Sequence, residues 1–253
     1  VSRTEFAGGI TDHGVMCGVP QFYAQMMAAD KLPLIGEEFY CETQAGEKNR
    51  NHLILLAKNE TGYKNLVKLS TEAYGNFYRK PHISYEMLES HKDGLICTSA
   101  CIGGEIPSDL REKKIDEAEK AARWFQKTFG DDFYIEIQRH GFDGEAEVNT
   151  ALIALARKMG IKLVAATDTH YLEKDDFEAH EVLLCISTNK TLADKNRLSF
   201  QGTGYHLYTA DEMEELFQDI PEVLDNTLEI AEKCKDIHIE TGKYYLPEYT
   251  VPD

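Results

Sequence analysis

Polar side chains that bind metals or transfer protons recur in this sequence where short apolar runs begin or end. Glu38 lies inside such a run, His52 opens the next one, and His140 follows a third. A lone carboxylate in an apolar strand is costly without a partner, so Glu38 predicts a second charged or polar group nearby. Asp168 and His170 follow another run at a spacing of i, i+2, which places both on one side of an extended chain.

A further motif, TDHG at 11–14, brings Asp12 and His13 to the end of a short segment that closes with Ile10. The carboxyl ends of strands in parallel α/β barrels form the functional face, to which several strands contribute. Imidazoles and carboxylates that converge there predict a divalent cation site suited to zinc, manganese or iron. Such a cation acidifies water and screens phosphate charge, which is the chemistry of phosphoester hydrolysis. Taken singly, His13 or His140 favours a structural role, so the argument for a metal is collective.

The overall charge limits what this surface can bind. The 253 residues include 27 basic and 44 acidic side chains, giving a net charge of −17. Such a surface repels phosphate backbones, so the chain is not expected to hold nucleic acid by itself, whereas a metal site is compatible because cations reverse the local field. No apolar run approaches the ~18 residues that span a bilayer, and the first residues do not resemble a signal peptide. We therefore expect a soluble, cytoplasmic protein without membrane contact.

The remaining cysteines and histidines favour structural roles. The six cysteines form no C-x-x-C pair, and most are predicted to be buried and reduced. His180 lies in a helical stretch and is predicted to be packed rather than ligating. Four histidines in polar stretches are predicted to be ordinary surface residues: His82, His91, His206 and His238.

Short apolar runs alternate with amphipathic stretches along most of the chain. Strands are predicted at 34–40, 52–57, 95–98, 133–137 and 162–166, with a weaker one before Thr11. Apolar residues at helical spacing predict one helix that ends at Gly130 and another that ends before Gly160. Repeated strand–helix units imply right-handed crossovers and a largely parallel sheet, open or closed.

The pattern changes after about Tyr171. A helix is predicted at 178–187, a capping box from Thr209 to Glu212 opens a second, and Pro221 suits the first turn of a third. We therefore expect an α/β barrel over 1–190, followed by barrel-completing helices and a linker over 191–253.

Together the motifs resemble those of the PHP (polymerase and histidinol phosphatase) domain of bacterial DNA polymerase III alpha subunits. The matching segments are TDHG at 11–14, IGEEFY at 35–40, HLILLAKN at 52–59, GYKNL at 62–66, TSACIGGEI at 98–106 and TDTHY at 167–171. The last third is similar to the stretch that joins this domain to the polymerase palm, with DEMEELF at 211–217, PEVLDNT at 221–227 and GKYYLP at 242–247. The resemblance covers residues 10–253.

The resemblance implies a distorted (β/α)7 barrel that holds a multinuclear metal cluster. Its implied ligands are His13, Glu38, His52, Cys101, His140, Asp168 and His170. It also implies that Asp12 orients His13 without binding the metal itself. Cys101 stands where phosphoesterase relatives have histidine, which shifts metal preference away from harder ions such as manganese.

One departure from the family pattern affects the expected activity. The family opens with a strand that carries an H-x-H motif, whereas nine residues precede Ile10 here and none is histidine. On this interpretation the sequence lacks one strand and part of the ligand set, so the polypeptide itself is not expected to be an active phosphoesterase.

The resemblance leaves three functions open. In the first, the domain is a metal-binding phosphoesterase-like module with 3′–5′ exonuclease activity in a replicative DNA-directed DNA polymerase, whose own magnesium-binding carboxylates belong to the palm beyond Asp253. In the second, it is a non-catalytic scaffold that contacts the palm and docks the proofreading exonuclease subunit and other replisome subunits, and DNA binds through the parent protein. A third, weaker alternative is a stand-alone metallophosphatase of the histidinol phosphatase kind.

Overall fold

The computed structural model describes residues 6–43, 50–200, 202–243 and 246. Six strands lie in this part of the chain and pair in sequence order within one sheet. They are β1 (Ala7–Ile10), β2 (Leu32–Glu42), β3 (Arg50–Ala57), β4 (Leu95–Thr98), β5 (Phe133–Ile137) and β6 (Lys162–Ala165). All strands predicted from the sequence are present. The sheet curls into a half-barrel, which confirms the α/β class and fits a distorted (β/α) barrel, although the described residues hold six strands.

Strand β3 runs against its neighbours. β1 is parallel to β2, and β4, β5 and β6 are mutually parallel, but β3 is antiparallel to both β2 and β4. The expectation of a largely parallel sheet is therefore corrected at this strand. Residues 43–49 are too few for the crossover of a dozen or more residues that a parallel pair requires. Because of the reversal, the first residues of β3 lie at the edge where the other strands end.

Nine α-helices accompany the sheet in the described part of the chain. They are α1 (Val19–Ala28), α2 (Glu60–Gly75), α3 (Tyr85–Ser90), α4 (Glu105–Arg111), α5 (Ile115–Phe129), α6 (Glu145–Met159), α7 (Phe177–Ser187), α8 (Ala210–Leu216) and α9 (Glu222–Cys234). The predicted ends of α5 and α6 are confirmed, since Gly130 and Gly160 both have positive φ, at 58° and 68°. The predicted capping box is also confirmed, because Thr209 Oγ1 accepts from the Glu212 N–H.

The alternation of side chains along the strands divides the apolar core into two layers. Leu55 of β3 points outward into the larger layer beneath the helices, and its neighbour Leu56 points to the inside of the half-barrel. There it packs with Val164 of β6 and with Ile230 and Cys234 of α9. Each such side chain stabilises the fold by about 1.5–3 kcal/mol when fully buried. Helix α9 therefore fills one end of the inner face.

The same alternation directs acidic side chains to the other end of the inner face. Glu136 follows Tyr134 by two residues in β5, so it shares the inward side with that buried ring. Glu38 occupies the equivalent side of β2. Its neighbour Glu37 faces outward toward Ser70 of α2, 3.4 Å away, where burial raises the pKa of Glu37 to about 8. The inner face is thus apolar against α9 and polar at the far edge.

The predictions for the carboxyl-terminal part of the chain are confirmed for its helices and stay untested for its linker. The helix predicted at 178–187 and the one after Pro221 are confirmed as α7 and α9. The predicted linker falls mostly on 244–245 and 247–253, outside the described residues, and the boundary between 190 and 191 stays a prediction. Across the ranges that are described, none of the helices combines the length and apolarity needed to cross a membrane.

Candidate metal centre

Glu38 is the hub of the polar end of the inner face. It lies within β2, and its side chain is only 4% exposed. Nδ1 of His13 donates to Glu38 Oε1 over 2.6 Å, and Nδ1 of His52 lies 3.0 Å from the same oxygen. Burial alone raises the pKa of Glu38, but the hydrogen bonds from the two imidazoles outweigh it and hold that pKa at about 2. The carboxylate is therefore ionised at every physiological pH.

Two elements that differ in direction bring the histidines to this carboxylate. His13 follows β1 in a turn, and its backbone bridges β2 in parallel register at Glu38. His52 opens β3, and only the antiparallel course of that strand places it at this edge. The hydrogen bond to Glu38 raises the pKa of His13 against the opposing effect of burial. A buried anion thus contacts two imidazole rings, each through its Nδ1.

Cys101 is the third member of the group around His52. It lies in the turn between β4 and α4, where its Sγ is 3.3 Å from His52 Nδ1 and accepts from the Gly103 N–H at 3.4 Å. Ligand atoms of Glu38, His52 and Cys101 all fall within 4.8 Å of one another. Burial, with the charges of Asp168 and Glu38, raises the pKa of the Cys101 thiol, so without a cation the sulfur keeps its proton.

The segment after β6 supplies two more of the predicted ligands. His170 Nε2 lies 3.1 Å from His13 Nε2, so one of these two ring nitrogens must carry the proton between them. The other His170 nitrogen, Nδ1, donates to the carbonyl of Asp168 at 2.6 Å. Asp168 has a left-handed backbone, with φ of 46°, which is uncommon for a residue other than glycine. Burial raises the pKa of Asp168, and the charge of Glu38 acts in the same direction.

His140 has contacts of its own, and Asp12 meets the hub through its backbone. The His140 ring stacks on Tyr205 at 4.0 Å, its Nε2 is 3.2 Å from Gln138 Oε1, and burial lowers its pKa to about 4. Its backbone N–H is held by the Glu145 carboxylate at 2.8 Å. Asp12 contributes its carbonyl, which accepts from the Glu38 N–H at 3.0 Å. The metal-ligand roles of the whole set, and the orienting role of Asp12, stay predictions.

Glu136 is a site residue that the sequence analysis missed. It is 6% exposed and accepts hydrogen bonds from Thr98 Oγ1 and from the Gln138 amide, each at 2.6 Å. Burial raises the pKa of Glu136 to about 7. The signal for it was the one used for Glu38, a single carboxylate within an apolar strand. Tyr205 was also missed, and it links two predicted ligands, because it stacks on His140 while its carbonyl accepts from the His170 N–H at 2.8 Å.

Two histidines expected at the surface are buried. His82 is 7% exposed and His206 is 5% exposed, so the surface prediction was wrong for both. His82 lies 3.1 Å from Arg50 and 3.3 Å from Glu42, which provide polar partners that the local sequence does not reveal. His238 is exposed as predicted, and His180 is packed against Phe200 as expected for a helix residue.

The donor set fits a divalent cation. It combines one ionised carboxylate, imidazole nitrogens that face each other, and a thiol that a borderline-soft cation can deprotonate. Zinc accepts all three donor types, whereas the sulfur disfavours manganese. A curled sheet that gathers such donors at one edge, with several strands contributing, defines a metal-binding α/β barrel protein of the phosphoesterase-like class.

Comparison with known proteins specifies the family. The family model described as "PHP domain" matches residues 6–140, and the chain belongs to the PHP family. It is 42% identical to the DNA polymerase III subunit alpha of Borreliella burgdorferi over 96% of this chain and 22% of that protein. It is 40% identical to the protein of that name from Campylobacter jejuni over 95% and 21%, and 37% identical to that from Deinococcus radiodurans over 96% and 20%. The chain therefore spans about a fifth of the length of these relatives.

Proposed function

We propose that this chain is the PHP module of a replicative DNA polymerase. Contrary to the expectation of an inactive polypeptide, we propose that its own site hydrolyses phosphoesters at the 3′ end of DNA in a metal-dependent reaction. The observation that carries the proposal is the convergence of His13, Glu38, His52 and His170 from four separate segments within hydrogen-bond distance. Packing alone gives no reason for two imidazoles to meet at one buried carboxylate and for a third to meet one of those rings. The polymerase role rests on the names of the relatives.

The residues divide into two groups around the proposed cation site. Glu38, His52 and Cys101 form the compact group, and His13 joins it to His170 and Asp168. When bound, a divalent cation supplies Lewis acidity that polarises a phosphoryl oxygen and acidifies water. Zinc fits the donors best, and iron or manganese would suit the imidazoles and carboxylates alone. The magnesium of polymerisation belongs to a palm domain in the proposed parent protein.

The chain's own side chains orient this site. Glu38 holds the rings of His13 and His52 through one oxygen, so their outer nitrogens keep fixed directions. Glu136 holds the Gln138 amide, whose oxygen lies 3.2 Å from His140 Nε2. Thr98 anchors Glu136 in turn. A relay of three side chains therefore sets the position of His140.

Metal content by elemental analysis tests the proposal first. We expect about two or three bound cations per chain, lost from a His140→Ala, Asp168→Ala double variant and retained in a His238→Ala variant, whose histidine is exposed and distant in sequence from the cluster. Release of nucleotides from a 3′-labelled oligonucleotide should follow the metal content. Bound metal without any nuclease or phosphoesterase activity would contradict the hydrolytic role.

A scaffold role is the second candidate, and the outer face of α7 favours it. Leu183 is 62% exposed and Ile186 is 71% exposed, with Val182 beside them at 42%. Exposed apolar side chains grouped on one helix mark protein contact sites. The proposed partners are the proofreading exonuclease subunit and the polymerase palm. If Leu183→Asp and Ile186→Asp leave binding to the purified exonuclease subunit unchanged, this face is not its docking site.

A further inference from the structure

A short loop after α2 departs from the acidic character of the chain. Residues 76–81 join the end of α2 to the segment before α3, and they carry two successive cations, Arg79 and Lys80. Three large rings accompany them in exposed positions: Tyr74 at 50%, Phe77 at 58% and Tyr78 at 59%. We call these five residues the aromatic–basic loop. Its composition contrasts with a net charge of −17 for the whole chain.

The aromatic–basic loop adjoins the metal centre. The backbone that follows it pairs with the end of β2, where the Ile83 N–H donates to the Tyr40 carbonyl at 2.9 Å. Lys80 Nζ lies 4.0 Å from the centre of the Tyr40 ring, and that ring meets the His52 ring edge-on at 5.3 Å. The loop also closes over the turn after His13, since a side chain at Gly14 would contact both Tyr40 and Pro81.

The side chains of the loop are exposed, and its two cations contact aromatic rings rather than carboxylates. Arg79 has φ of 63°, a left-handed backbone that costs about 1–2 kcal/mol for such a residue. This turn lets the Tyr78 N–H reach the Lys80 carbonyl at 3.3 Å. Arg79 lies 5.6 Å from the Tyr78 ring centre, and neither Arg79 nor Lys80 forms an ion pair with a carboxylate of the described residues.

We infer that the aromatic–basic loop is a subsite for single-stranded nucleic acid, in which bases stack on Phe77 and Tyr78 while Arg79 and Lys80 contact the phosphates that lead into the metal centre. This inference rests on the proposed function, and it assigns that site a polymeric single-stranded substrate. Exposed rings for stacking and cations for the phosphates are the two elements of sequence-independent single-strand binding. Every base offers a face for stacking, so the subsite does not select sequence.

The acidic surface around the loop limits how many nucleotides the subsite can contact. Acidic surface repels phosphates beyond the loop, so the contact covers few nucleotides and excludes a long duplex. Two phosphate contacts give a slope of about −1.4 in a plot of log affinity against log salt concentration, taking roughly −0.7 per contact for a single strand. Stacking on each ring contributes about 1–3 kcal/mol per base, which corresponds to roughly 5- to 150-fold in affinity.

Fluorescence anisotropy with a twelve-nucleotide oligothymidylate tests the inference. The oligonucleotide is labelled at its 5′ end, and phosphorothioate linkages protect its 3′ end, so that binding is measured without hydrolysis. We expect a Phe77→Ser, Tyr78→Ser variant to bind at least tenfold more weakly than the wild-type chain. An Arg79→Gln, Lys80→Gln variant should bind more weakly and lose most of the salt dependence. The matched control is Lys120→Gln, Lys127→Gln on α5, which removes the same charge from exposed positions and should bind as the wild type does.

The outcomes separate the subsite from the proposed hydrolysis. Equal affinity in wild-type and loop variants, an equal loss in the α5 control, or equally tight binding of a blunt duplex would each overturn the subsite. Weaker binding in the loop variants alone, in a chain that releases no 3′ nucleotides, would support the subsite and refute the hydrolytic function. Release of 3′ nucleotides, together with unaltered binding in the loop variants, would support the hydrolytic function and refute the subsite.

Discussion

The turn that carries Cys101 depends on a very close backbone approach at Gly104. Gly104 is the N-cap of α4, with an ordinary extended conformation at φ −69° and ψ 160°. A Cβ at this position would lie 2.0 Å from the Ser99 carbonyl oxygen and 3.2 Å from that of Cys101. The turn is further held by the His52 N–H, which donates to the Gly103 carbonyl at 2.9 Å. Any displacement of the backbone at Gly104 therefore also moves Cys101 and His52.

Gly104→Ala should disturb the metal centre as well as the fold. Because real Cβ contacts essentially never fall below 3.0 Å, the turn must move by about 1 Å. Over-packing of this kind costs about 1–3 kcal/mol. A shift of that size would break the 3.3 Å contact between Cys101 Sγ and His52 Nδ1. Loss of a group that orients a metal ligand typically lowers metal affinity by about 10- to 100-fold, and we expect zinc affinity to fall by that much.

Gly75→Ala provides a matched control for this prediction. Gly75 ends α2 and has no atom within 4 Å of the position of a Cβ. The same substitution there should stabilise the chain by about 0.4–1 kcal/mol, chiefly by restricting the unfolded state, and leave zinc affinity unchanged. Urea unfolding and competition with a zinc chelator measure the two quantities. If the Gly104 variant matched the Gly75 variant in both, the turn would not position Cys101 as argued.

Three further perturbations act on other parts of the structure. Glu229→Gln removes a carboxylate whose pKa is lowered to about 2 by hydrogen bonds from Lys162 and, less strongly, Tyr134. Because the pKa of Glu229 in the folded state lies below the ordinary 4.5, this carboxylate stabilises the fold above pH 4.5, and the stabilisation is lost as the pH falls toward 2. With this side chain 31% exposed, urea unfolding should show a loss of about 1 kcal/mol at pH 7 and none at pH 2, and a pH-independent loss would contradict the assignment. Thr209→Ala removes the cap of α8 and should cost about 1 kcal/mol in the same assay, so an unchanged midpoint would count against the capping box. A chelator should lower the melting temperature of the wild-type chain in calorimetry but not that of a Glu38→Gln variant, and an equal response in both would exclude Glu38 as a ligand.

Local signals predicted the elements well because their causes are local. The ends of α5 and α6 follow from Gly130 and Gly160, which adopt positive φ at little cost. The direction of β3 was not predictable in the same way. Strand propensity is identical for both directions, and only the length of the connection at 43–49 distinguishes a hairpin from a crossover. The expectation of parallel pairing came from repeated strand–helix units, and this connection is where the repeat is broken.

The candidate site was predicted unevenly for a related reason. Glu38 and His52 stood out because a polar residue at an apolar strand requires a partner, and each has one. Glu136 gives the same signal but has no histidine or glycine motif around it, and so it was overlooked. The burial of His82 and His206 could not be predicted from their polar neighbours, because it arises from packing between segments distant in sequence. Sequence proximity to polar residues is thus a poor guide to histidine exposure.

The two groups of proposed metal ligands come from parts of the chain that are far apart in sequence. Glu38, His52 and Cys101 all precede residue 140 and lie within the matched PHP segment, whereas His170 follows β6, which pairs with β5. The contact between His13 and His170 spans 157 residues, and contacts of such sequence separation form late because the intervening loop must first be closed. A cation shared by both groups therefore stabilises the completed half-barrel rather than any single segment, and its affinity reports whether the first and last strands have been brought together.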